Sequence, residues 1–223
     1  MGPECKLVVM GDGAVGKTSL ICSYARDQFS TDYFIPTVYD PYSVAVPVMN
    51  QPPIQLTVHD TAGQEDFDRT RPLAYPSTDI FLVCFAVDSP TSLENVREVW
   101  VPEIHHYCPS TPFILVGLKS DLRTVAKSTS AAERKRKERR EGEEGHVSHK
   151  MGHEMARQLG AAGYMECSAH AMHGIKEVFE EAVIEVAVRR PKKRPRCRCA
   201  SRRRMILRFM CIPCFALLQK INK

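Results

Sequence analysis

Residues 11–18 read Gly-Asp-Gly-Ala-Val-Gly-Lys-Thr, the GxxxxGK[ST] spacing that wraps a chain of phosphates. Its glycines let the backbone curl until successive N–H groups point inward. Lys17 can then carry its ammonium to the outer phosphates, and the Thr18 hydroxyl can ligate magnesium. Phosphate contacts are accordingly expected from Gly11, Asp12, Gly13, Ala14, Val15, Gly16, Lys17, Thr18 and Ser19. Three further short motifs carry chemistry. Asp60-Thr61-Ala62-Gly63-Gln64 offers a carboxylate that can hold magnesium through water and a Gly63 N–H for a γ-phosphate. Its Gln64 amide can orient an attacking water, which makes Gln64 the candidate catalytic residue. Leu118-Lys119-Ser120-Asp121 offers a carboxylate for the two adjacent N–H donors of guanine, which adenine lacks, and a lysine stem that can lie on the ring. Cys167-Ser168-Ala169 offers backbone N–H to the guanine carbonyl oxygen. The phosphate loop alone is shared by ATPases, nucleotide kinases and GTPases. The added motifs select guanine and argue against an ATP-using phosphoryl transferase.

These motifs need strands and helices to hold them. The phosphate loop follows the apolar run Leu7-Val8-Val9-Met10 and opens a helix at Gly16, whose N-terminal partial positive charge favours phosphate. Segments 43–48 and 54–59 alternate like strands around the turn-rich Asn50-Gln51-Pro52-Pro53, which predicts a hairpin. Segments 80–87 and 113–118 are near-continuous apolar runs, the mark of parallel strands covered on both faces. Between them, Thr91-x-x-Glu94 reads as a capping box, with an amphipathic helix running toward His106. Two more helices are expected over 149–159 and 174–188, flanking a short strand at 164–167. The sum is an α/β fold: a doubly wound, mostly parallel sheet of about six strands, with one strand antiparallel through the hairpin. Ligands in such sheets sit at the carboxyl ends of the strands, where the phosphate loop lies.

Composition divides the chain. Over 1–188 there are 18 Lys+Arg against 26 Asp+Glu, a net charge of −8, whereas 189–223 holds 13 basic residues and no acid. We therefore expect a nucleotide-binding domain at 1–188 and a basic tail at 189–223. Within the domain, 130–144 is almost wholly charged, with six basic residues around Glu138 in 134–140. It reads either as an exposed helix capped by Ser130 with pairs such as Glu133–Lys137, or as a solvated face with no partner. Five of the nine cysteines (Cys5, Cys22, Cys84, Cys108, Cys167) lie mostly in apolar runs and read as reduced, packed thiols. The N-terminus lacks a secretory pattern, and the longest apolar stretch, 209–218, is too short to span a bilayer. A cytoplasmic location is expected, at the cytoplasmic face of the plasma membrane or of endomembranes where the tail docks.

Four motifs in register over 11–169 carry a resemblance: the chain is similar to Ras-like small GTPases, and within them to the Rho family, nearest the Rac type. The family words are Ile35-Pro36-Thr37-Val38-Tyr39-Asp40, the run 60–71, Tyr107-Cys108-Pro109 and Glu166-Cys167-Ser168-Ala169. The charged block falls where Rho proteins carry an insert helix, here about 124–148. The resemblance implies a P-loop G domain that binds GDP or GTP with magnesium held by Thr18, Thr37 and Asp60. It implies that Thr37 and Gly63 close on the γ-phosphate. Guanine contacts are implied for Phe29, Lys119, Asp121, Ser168 and Ala169. The implied effector face comprises Phe34, Ile35, Pro36, Thr37, Val38, Tyr39, Asp40 and Tyr42. Implied partners are effectors, exchange factors and GTPase-activating proteins, acting on a monomer in cytoskeletal or polarity signalling. An alternative is a fast-exchanging, GTP-bound scaffold in which hydrolysis matters little.

The chain departs from that pattern in places. Position 118 is Leu where the family has Asn or Thr, so a hydrogen bond between the base loop and the phosphate loop is lost. The 29–37 segment is one residue longer, so Tyr33 or Phe34 could lid the phosphates. His59 replaces the usual Trp or Phe. The chain ends Lys220-Ile221-Asn222-Lys223, with no cysteine fourth from the end, so prenylation is not expected. In its place stand the basic stretch 189–204 and the largely apolar 205–218, with Cys211 and Cys214 as candidate S-acylation sites. The tail invites two other readings: four zinc ligands at Cys197, Cys199, Cys211 and Cys214, or a nuclear or nucleic-acid signal in 192–196. Nucleic acid is not the expected partner, because Phe209 and Phe215 both lie outside the basic stretch.

Overall fold

A computed structural model of the 223-residue chain describes residues 3–29, 42–48, 52–61, 63, 70–124 and 145–190. Among these residues six strands form one sheet, in the order β2-β3-β1-β4-β5-β6. They are β1 (Glu4–Gly11), β2 (Tyr42–Val46), β3 (Ile54–Asp60), β4 (Ile80–Ala86), β5 (Phe113–Leu118) and β6 (Gly163–Glu166). All neighbours are parallel except β2 and β3, which pair antiparallel with Val44 opposite Leu56. This is the doubly wound, mostly parallel sheet that the apolar runs predict.

The central strands are apolar throughout because both of their faces are covered. Successive side chains alternate, so Ile80, Leu82 and Cys84 of β4 join one core while Phe81, Val83 and Phe85 join the other. The first core is closed by α1 (Lys17–Arg26) and a long helix, 175–189, labelled α6 below. The second is closed by a composite helix over 90–107 and by Ala156 of the helix at 149–159. Burying each Val, Leu or Phe contributes about 1.5–3 kcal/mol, so these two layers dominate the stability of the fold.

The composite helix has three parts: α2 (Pro90–Asn95), a π-helical turn (Val96–Trp100) and α3 (Val101–Tyr107). Its start corrects the expected capping box. The cap is Ser89, whose extended backbone accommodates Pro90 at the first helical position and whose hydroxyl accepts the Ser92 N–H at 3.3 Å. Thr91 is already inside the helix. A four-residue turn, α4 (Asp121–Thr124), follows β5. Helix α5 (His149–Leu159) has the predicted limits, capped by Ser148 and ended by Gly160 in the left-handed region. Helix α6 (Ile175–Arg189) starts one residue later than predicted, after Gly174. Strands β2 and β6 are shifted by one or two residues from 43–48 and 164–167. Cys5, Cys84 and Cys167 are buried, Cys22 and Cys108 are half-buried, and all five are free. No helix among the described residues is long and apolar enough to cross a membrane.

Candidate functional site

The loop from Gly11 to Gly16 joins the carboxyl end of β1 to α1, and close packing dictates its residues. Gly11 has φ +142°, and a Cβ there would lie 2.1 Å from the Cys84 carbonyl oxygen of β4. Lys17 is buried and its ammonium lies inside the curl, donating to the carbonyls of Gly11 (2.7 Å) and Asp12 (2.6 Å). Burial lowers the Lys17 pKa, and the Cys84, Asp60 and Asp12 side chains pull it back up. Thr18 Oγ1 donates to Asp60 Oδ2 at 2.6 Å, so the end of β3 and the start of α1 bring a hydroxyl and a carboxylate together. That pair of hard oxygen donors suits magnesium. Gly63 also lies against the loop: a Cβ on it would be 2.2 Å from the Gly11 carbonyl oxygen and 2.6 Å from the Gly13 nitrogen. Thr61 anchors the same stretch by donating to the Val9 carbonyl at 2.7 Å.

The Asp12 side chain is engaged on the protein side of the loop. Asn95 Nδ2 donates to its Oδ2 and Trp100 Nε1 to its Oδ1, both at 2.7 Å. Neither partner was legible as a site residue, because they lie 83 and 88 positions away in sequence.

The two loops expected to recognise a base lie after β5 and β6, side by side. The Ser120 N–H donates to the Cys167 carbonyl at 3.2 Å, which ties them together. Ser168 Oγ donates to Asp121 Oδ1 and accepts the Ala171 N–H at 2.9 Å, fixing the carboxylate. The Ser168 N–H, one of the two expected at a guanine carbonyl, is itself committed to the His173 carbonyl at 2.9 Å. Lys119 has φ +60°, and its ammonium pairs with Asp88 at 3.2 Å. Behind them Arg123 forms a two-pronged pair with Glu166 (2.7 and 2.8 Å), and Tyr164 also donates to that carboxylate. This brace links α4 to β6 and was not foreseen. Phe29 meets the ring of His170 edge-on at 5.3 Å, and His170 Nδ1 lies 3.8 Å from Asp121.

Leu118 is buried, and its Cδ1 sits 3.7 Å from the point where Gly16 would carry a Cβ. An apolar side chain therefore lies beside Gly16 of the phosphate loop, where a polar tether was expected to be missing.

The structure thus gathers Gly11, Asp12, Gly13, Ala14, Val15, Gly16, Lys17, Thr18, Ser19, Asp60 and Gly63 around one curl, and Lys119, Asp121, Ser168 and Ala169 in two adjoining loops. Tyr42 opens β2. Thr37, Gln64, the 34–40 segment, the 125–144 part of the charged insert, and Cys211 and Cys214 lie outside the described residues. A family model described as the Ras family matches residues 6–188.

Proposed function

The chain belongs to the Ras family and is a small GTPase, and on that premise we propose that it acts as a Rho-type switch cycling between GDP and GTP with magnesium. The observation that carries this reading is the convergence, at the carboxyl ends of β1, β5 and β6, of a phosphate curl holding Lys17 with a carboxylate, Asp121, fixed by Ser168. Asp121 accepts guanine's two N–H donors, the Lys119 stem lies on the ring and Phe29 flanks it. Lys17 leaves the Gly11 and Asp12 carbonyls for the outer phosphates. Thr18, Asp60 and Thr37 are the residues that would hold magnesium, which would offset the negative charge of the phosphates. Thr37 and Gly63 are held while the γ-phosphate is present and let go after hydrolysis, which changes the face offered to effectors and regulators.

Gln64 orients the attacking water, so Gln64→Leu should slow single-turnover GTP hydrolysis roughly tenfold or more while GTP still binds. Phosphate release from preloaded full-length protein measures this. Equal rates would instead favour the scaffold reading, in which hydrolysis matters little.

Leu118 supports fast exchange, because a buried apolar side chain cannot make the hydrogen bond that would tether the base loop. Leu118→Thr should slow GDP release several-fold, the effect of about 0.5–1.5 kcal/mol from one regained hydrogen bond. Release of a fluorescent GDP analogue reads it, and an unchanged rate contradicts it.

The tail reading completes the proposal. The basic stretch 189–204 attracts an anionic leaflet, with each basic residue near the surface worth about 1 kcal/mol. The apolar 205–218 segment adds insertion, and S-acylation of Cys211 or Cys214 makes the attachment stable. Hydroxylamine treatment, or changing both cysteines to serine, should release the protein from membranes into the soluble fraction. Unaltered partition would exclude acylation as the anchor.

A further inference from the structure

The Asp12 carboxylate is the near end of a partly buried chain of contacts that runs from the 11–18 loop to the 71–74 turn. Its two oxygens are gripped by Asn95 and Trp100, which close α2 and the π-helical turn. Residues five apart would diverge by about 140° around an α-helix of 3.6 residues per turn. The wider i→i+5 turn, closed by the Val101 N–H on the Val96 carbonyl, brings them round to one side, where both reach the same carboxylate. Over the face of the indole, the Arg71 guanidinium lies 4.6 Å from the ring centroid. Arg71 is 1% exposed and pairs with Glu103 of α3 at 3.0 Å, and the Tyr75 hydroxyl donates to the other Glu103 oxygen at 2.5 Å. Arg71 opens the 3-10 turn Arg71–Ala74, beyond Gly63 in the chain.

We infer that Trp100 is a positioning residue that couples the phosphate loop to the 71–74 turn, with its N–H holding Asp12 and its ring face carrying Arg71. The inference rests on the reading of the 11–18 loop as a nucleotide site. Asp12 is held at its carbonyl by Lys17 and at its carboxylate by Asn95 and Trp100. When phosphates draw Lys17 off that carbonyl, the balance on Asp12 changes, and the indole beneath Arg71 is the group that transmits it. Close packing lets such a shift travel, because the indole is 3% exposed and packed within the second core.

The full-length chain contains one tryptophan, so its emission reports this residue alone. Binding of a fluorescent GDP analogue first establishes that guanine nucleotide occupies the site; absence of binding would overturn the nucleotide reading and the coupling with it. Trp100 emission is then compared between the GDP·magnesium form and a non-hydrolysable GTP-analogue form. A difference in intensity or wavelength is expected, and identical spectra from two loaded forms would overturn the coupling while leaving the nucleotide site intact. Arg71→Lys keeps the charge opposite Glu103 but loses the planar stack. It should change the GDP release rate by roughly three- to tenfold, the range expected for coupling through packed elements. In a Trp100→Phe background the same substitution should have little effect. A lowered melting temperature with unchanged release, or an equal effect in both backgrounds, would show a purely structural role and overturn the inference. Should Trp100→Phe fail to fold, the emission comparison and the single Arg71→Lys variant still decide it.

Discussion

Asp121→Asn is expected to weaken GDP and GTP binding by about 10²–10⁴-fold, the loss of two hydrogen bonds to a charged acceptor at about 1.5–3 kcal/mol each. A carboxylate presents two acceptors to the adjacent N–H groups of guanine, whereas an amide presents one acceptor and one donor. The donor would then face a guanine N–H and leave it unpaired in a confined site. The geometry makes this loss hard to evade. Asp121 is fixed by the Ser168 hydroxyl, Ser168 by the Ala171 N–H, and the two loops by Ser120 and by the Arg123–Glu166 pair. An amide cannot swing to a better angle without breaking that set. The same variant should gain relative affinity for a xanthine nucleotide, whose ring carries an oxygen where guanine carries its amino group. Displacement of a fluorescent GDP analogue by unlabelled GDP and xanthosine diphosphate measures both effects. A change in GDP affinity of less than about tenfold would mean that the carboxylate is not the base reader, since a site built around a hydrogen bond rejects its loss strongly.

Lys17→Ala is expected to be comparably severe for a different reason. Its ammonium is buried within the curl and satisfied by the Gly11 and Asp12 carbonyls, so it is already desolvated before any phosphate arrives. Exchanging two neutral carbonyls for phosphate oxygens strengthens its bonds at no further desolvation cost. Truncating such a buried charge partner costs about 2–5 kcal/mol, so nucleotide affinity should fall by roughly 10²–10³-fold. Titration with the GDP analogue gives the affinity, and far-ultraviolet circular dichroism confirms that the sheet remains. A folded variant with unaltered affinity would refute the role assigned to Lys17.

The sequence spoke most clearly where physics is local. Short runs apolar on both faces read as covered parallel strands, and Phe113–Leu118 came out to the residue. Helix α5 came out likewise, because a capping serine precedes it and a glycine ends it. The helix beginning at Pro90 was misplaced by a competing signal. Thr91-x-x-Glu94 has the capping spacing, yet Pro90 demands an extended residue before it, which Ser89 supplies. Other features depend on distant partners and leave no local mark. Asp12 looks like one more loop residue until the π-helical turn brings Asn95 and Trp100 beneath it. The Arg123–Glu166 brace joins residues 43 positions apart, and nothing in either neighbourhood announces it. Even which N–H of the Ser168-Ala169 pair is already taken needed coordinates, since only the pairing of Ser168 with His173 shows it. His170, beside Phe29 and Asp121, is a neighbour of the proposed base site that spacing did not single out.

The central claim is that these loops form a guanine-nucleotide pocket. The most direct measurement strips the purified full-length protein of nucleotide, offers it equimolar GTP and ATP with magnesium, and identifies what it retains after denaturation and chromatography. Guanine nucleotide, as GTP or its GDP product, is the predicted result. Retention of adenine nucleotide in its place would contradict the assignment of Asp121, Ser168 and Ala169, and with it the account of this chain as a GTP switch.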